Sequence, residues 1–190
     1  HAVLASRQHF FALVKTGKYL PEGHLNNELF GRAVEHLIKH LSLSLREVET
    51  VVRYIHIAQV LSNGEKFHTN QILGFSLLRL IGVFIFCFEP KIVSDLSKGI
   101  FDAKNIGDFI GIARLTELSN NSVRPDVLEV IMVMLARDCN RSVDLYKPTD
   151  EHLEKWNKYI NNGFMGGFPL DPNETIDEIK QIISLLALEQ

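Results

Sequence analysis

Apolar residues recur at intervals of three and four along most of the chain, which is the spacing of one face of a helix. Val3 to Lys15 reads as a first apolar-rich helix, closed by Gly17 and a turn around Pro21–Gly23. Asn26 or Asn27 caps a second, which runs to about Leu41 with Phe30, Val34, Leu37 and Ile38 on its inner side. Ser44 opens a third. Glu47 follows three residues later and completes a capping box, and Val48, Val51, Val52 and Ile55 form the core stripe. After the turn-rich "SNGEKFHTN", Thr69 or Asn70 starts a long apolar helix that stops near Glu89–Pro90, because proline disfavours a helical residue before it.

Shorter helical segments follow over Lys91–Leu96, Ile106–Leu118 and Pro125–Arg137, with Pro125 where a first-turn proline belongs. Asp150–Ile160 and Glu174–Leu188 complete the set, separated by the glycine- and proline-rich "NNGFMGGFPLDPN". "EVIMVML" is β-branched enough for a short strand, but its flanks favour helix. The expected fold is all-α, a bundle of about eight to nine helices with its densest apolar pattern in residues 1–100. Residues 101–190 are expected to form a helical extension packed on that part or a small subdomain of their own. No internal repeat or low-complexity tract is visible.

The 190 residues are 46% hydrophobic and 23% charged, proportions that suit a globular core. A net charge of −3 argues against a dedicated nucleic-acid module, which carries a basic surplus to neutralise phosphates. The two cysteines, Cys87 and Cys139, sit in apolar surroundings without metal-site spacing and read as buried thiols of a reducing, cytoplasmic setting. The chain opens at His1 without an initiator methionine and shows no signal peptide, so it reads as a piece of something longer. "ILGFSLLRLIGVFIFCF" is at the short limit for a membrane span and carries Arg79 near its middle. A core helix, with Arg79 paired or reaching water along its stem, is the better reading than a span.

Candidate chemistry is sparse. His36 and His40 stand four apart on one helical face, as zinc ligands can, but the zincin pattern needs a glutamate where Leu37 stands. His24 and His56 are nearby in sequence, and no metal site is expected. Gly17–Lys18 is followed by Tyr19 instead of the Ser or Thr of a phosphate loop, and "GGF" at Gly166 lacks the lysine. "IMVMLARD", ending at Asp138, has the outline of an apolar strand leading to a magnesium-binding acid, yet lacks the paired acid and fits a buried helix better. No serine elbow or activated cysteine is visible, so catalysis by the isolated chain is not expected.

Arg46, Glu49 and Arg53 line up along the third helix at spacings of three and four. One reading is an ion-pair ladder on a solvated face. Another is the recognition helix of a winged or MerR-like DNA-binding module, against which the acidic total and the apolar downstream helix weigh.

A third reading comes from resemblance. "SLREVETVVRYIHIAQVL", a polar gap, then "LLRLIGVFIFCFEPKIVSDL" resembles the C-terminal helical part of KAP-family P-loop NTPases, with "EPKIV" a loose counterpart of a phrase like "NPELY". "FFALVKTGKYLPEGHLNNELFGRAVEHL" is similar to the segment that links their nucleotide-binding core to these helices. The likeness covers about residues 9–100. It implies a helical lid and sensor region that closes over an ATP-binding core, in a family linked to phage exclusion in bacteria and to membrane-associated signalling in animals. Arg46, from its place in "SLRE", is then the leading nucleotide-sensing candidate and Arg53 the second. ATP and Mg are implied only together with an upstream P-loop core, which would be the main partner. The alternative is a free-standing helical interaction or regulatory protein with no nucleotide role. Its partner would be another protein, and Phe164, Met165 and Phe168 in "GFMGGFPLDP" would be its exposed anchors.

Overall fold

The computed structural model describes residues 2–67, 72–115, 125–166 and 171–188. Among them the fold is all-α, with ten α-helices, nine of them seven residues or longer. They are α1 (Ala2–Gly17), α2 (Glu22–Leu25), α3 (Glu28–His40), α4 (Leu45–Leu61), α5 (Leu73–Phe88), α6 (Pro90–Ser97), α7 (Ala103–Ile110), α8 (Val127–Ala136), α9 (Asp150–Lys158) and α10 (Glu174–Ala187). A 3-10 turn at Val143–Tyr146 and a π-helical segment at Tyr159–Phe164 were not visible in the residue pattern. Among the described residues the sole β feature is an isolated bridge between Asp102 and Arg141.

Local sequence rules set most helix starts. Asn27 caps α3 by accepting from the backbone N–H of Leu29 and Phe30. Ser44 and Glu47 close the capping box of α4 from both sides. At α8 the cap is Asp126, boxed with Glu129, so Pro125 precedes the cap instead of occupying the first turn. α7 is shorter than the apolar spacing suggests. It ends at Gly111, whose left-handed φ of 81° lets the backbone turn away at low cost. The proposed start at Thr69 or Asn70 lies outside the described residues; α5 is described from Leu73.

α5 and α8 are apolar all round, and the bundle surrounds them. Every residue of α8 is buried, as are Ser76 to Ile85 of α5. A helix with no polar face must be covered on all sides, and α5 is covered by α10, α4, α6, α3 and α8. α10 makes the most extensive packing with α5. Gly82 permits it, because a Cβ there would run into Ile182 Cγ2. At Glu89–Pro90 the chain bends by 112° into α6. Among the described residues no single helix is long and apolar enough to cross a membrane.

Arg79 is paired. Its Nε donates to Glu178 Oε2 at 2.6 Å and one terminal nitrogen donates to the Lys66 carbonyl at 2.9 Å, so α10 supplies the counter-charge to an arginine inside α5. One hydrophobic cluster contains residues from both sides of position 100, including Phe10, Ile55, Leu80, Ile131, Trp156 and Ile182.

Candidate functional site

The arginine line of α4 is built by the capping box. Ser44 Oγ and its backbone N–H both donate to Glu47 Oε2, at 2.7 and 2.8 Å, and these bonds hold the Glu47 carboxyl below its ordinary pKa. Arg46 therefore occupies the first turn of a well-formed helix, where it is exposed. The rest of its line is engaged elsewhere. Glu49 Oε1 lies 3.0 Å from His9 Nε2 of α1, and the Arg53 guanidinium sits 5.3 Å from the centroid of the Tyr54 ring. Among the described residues the three do not form an ion-pair ladder, because the carboxylate between the arginines turns to the neighbouring helix. Arg46 has no ion pair of its own among them.

That placement runs against helix electrostatics. The N-terminal turn carries partial positive charge, so a cation there is disfavoured by about 0.3–1 kcal/mol where an acid would be favoured by as much. An arriving anion would meet both the guanidinium and the positive end of the helix. Arg46 is thus the member of the predicted set whose position suits ligand or partner contact better than stability.

The loop anchors fare differently. Met165 is fully buried and serves the core, so it is not an exposed contact residue; the apolar thioether fills space among other core side chains. The side chain of Phe164 and the whole of Phe168 lie outside the described residues.

His36 and His40 do share a face, with ring centroids 6.2 Å apart. Of the two, His40 is exposed. His36 is half-buried, with Nε2 shielded and unpartnered, and both rings pack against Gly111 so closely that a Cβ there would meet them below 3.0 Å. His40 Nε2 lies 3.0 Å from the Asp108 carbonyl, which can only accept, so that nitrogen carries the proton and is not free for a metal. Among the described residues no group of three or more His, Cys, Asp or Glu side chains could hold a metal ion.

A pairing that the sequence did not announce lies between α2 and α5. His24 Nε2 and Ser76 Oγ are 2.6 Å apart, the contact a serine nucleophile makes with its base. Ser76 is completely buried and His24 nearly so, and no substrate carbonyl can reach the hydroxyl. Burial, and then the charge of Arg79, hold His24 below its ordinary pKa of 6.5, which keeps the imidazole neutral. The pair satisfies two polar groups in the core. Only its separation, 52 residues along the chain, hid it from pattern reading.

Both thiols are similarly inert. Burial pushes Cys87 and Cys139 up to about 12, far from the thiolate range of reactive cysteines. No family model matches this chain, and no curated protein or solved structure matches it either.

Proposed function

We propose that this chain is a helical lid and coupling region of a KAP-like P-loop ATPase, acting on a nucleotide-binding core instead of performing chemistry itself. The observation that carries this reading is Arg46: exposed, without an ion pair among the described residues, and held in the first turn of α4, where the helix end disfavours its charge and an arriving anion would favour it. A guanidinium so placed suits the developing charge of a transferring phosphoryl group, delivered when the bundle closes over the core. Arg53 is the weaker candidate, since its guanidinium already rests on Tyr54. ATP and Mg belong to the core in this scheme.

The test is ATP turnover by the natural gene product that contains this chain. Arg46→Ala is expected to lower turnover at least about tenfold, with Arg53→Ala much closer to wild type and the isolated chain inactive. Unchanged turnover in Arg46→Ala removes the sensing role. A gene product with no phosphate loop removes the ATPase reading altogether.

The second reading, a stand-alone interaction module, is favoured by Leu45 and Val60, exposed by 47% and 61% on α4. A protein partner seated along that helix would cover both and engage Arg46 with a carboxylate.

A further inference from the structure

At the C-terminal end of α8 lies a pocket of about 360 Å³, within the size range of small-molecule sites. Val133 and Ala136 of α8, Val143 and Tyr146 of the 3-10 turn and Leu153 of α9 form apolar walls. Gly107 makes the site possible. With no Cβ on α7 there, Tyr146 inserts against it and donates its hydroxyl to the Ile112 carbonyl at 2.6 Å, which anchors the 3-10 turn to the end of α7. Cys139 also lines the pocket as a neutral thiol.

Two cations complete the lining, Arg137 and Lys147, and neither has a carboxylate partner among the described residues. One Arg137 terminal nitrogen donates to the neutral Asn157 Oδ1 at 2.8 Å. The adjacent acid, Asp138, is turned away: its two oxygens accept from the Asn173 N–H and from the N–H and hydroxyl of Thr175, fixing the start of α10. Arg137 is exposed; partial burial of its guanidinium lowers its pKa, and the nearby Asp138 charge opposes that shift. Leu153 remains 40% exposed at the pocket, so apolar surface and unpaired positive charge occur together.

We propose that this pocket binds a small amphipathic carboxylate of the medium-chain fatty-acid class, its head on Arg137 and Lys147 and its chain against Val133, Ala136 and Val143. A carboxylate matches the planar guanidinium through two N–H donors. The aliphatic chain matches walls that offer it few polar contacts. This assignment is independent of the role given to Arg46.

Decanoate, 1-decanol and decylamine, titrated into the whole chain by calorimetry, separate head-group recognition from burial of the tail. Decanoate is expected to bind about tenfold or more tightly than decanol, and the amine most weakly. Arg137→Gln should bring decanoate down to the level of decanol while leaving decanol unchanged. Ala136→Phe should abolish both; if that variant does not fold, the Arg137→Gln comparison decides. The proposal is overturned by equal affinity for decanoate and decanol in the wild type, by failure of decanoate to bind at roughly millimolar concentration, or by an unaltered preference in Arg137→Gln.

Discussion

Two places in this bundle use a glycine to bring bulky groups close, and they end differently. At the α5–α10 seam, Gly82 admits Ile182, and the buried polar groups named above are partnered: Arg79 by Glu178 and the Lys66 carbonyl, Ser76 by His24. At the corner of α7, α8 and the 3-10 turn, Gly107 admits Tyr146, but a pocket stays open beside it and two cations lack acidic partners among the described residues. The seam converts close approach into stability. The corner keeps apolar wall and charge accessible, an arrangement that contributes little to folding and suits a ligand.

The strongest way to break the seam is Glu178→Ala. It strands Arg79, whose side chain is 8% exposed, with its charge uncompensated. Such losses cost about 3–5 kcal/mol, which urea denaturation would read as a large drop in midpoint. Gly82→Val should follow at about 1–3 kcal/mol, because the added carbons collide with Ile182 and α10 has to shift; the same assay ranks the two.

The corner should respond more mildly. Tyr146→Phe removes the hydroxyl bonded to the Ile112 carbonyl, yet water entering from the adjoining pocket can take its place, so about 1 kcal/mol is expected. A loss as large as that of Glu178→Ala would mean that the corner is sealed as tightly as the seam.

The smallest effect near neutral pH concerns His24. Its pKa is lower in the folded chain than its ordinary value of 6.5, so the unfolded chain binds the proton more readily. Stability from this group is complete above 6.5 and is lost as pH falls from there toward the folded value. Arg79 above and Ser76 beside it offer no negative charge to favour the imidazolium. Denaturation midpoints of wild type and His24→Asn, compared from pH 7.5 downward to roughly 5.5, should show a steeper decline in the wild type. Parallel declines would assign the pH dependence to other groups.

Features encoded within a few residues are legible in the sequence. The Ser44–Glu47 box, the Asn27 cap and the stop before Pro90 each depend on neighbours in sequence, and the all-α architecture followed from the same local spacing. Local reading overshot where one backbone angle decided the outcome, as at Gly111, which cut α7 short. It failed where partners are distant. The sequence left Arg79 either paired or reaching water along its stem, and nothing near it pointed to Glu178, 99 positions away. The same holds for the candidate site. The alignment of Arg46, Glu49 and Arg53 was visible, whereas the diversion of Glu49 to His9, which leaves Arg46 apart, was a property of how α1 lies against α4.

The pairing of α5 with α10 also bears on how the chain is made. A ribosome releases α5 long before the helix that covers it, and domains take shape only as their parts emerge. During that interval an apolar rod with a naked guanidinium must wait, open to chaperones and to wrong neighbours. Polypeptides stopped ahead of Glu178 should therefore accumulate as insoluble or chaperone-held material, while those that extend past Leu186 are released.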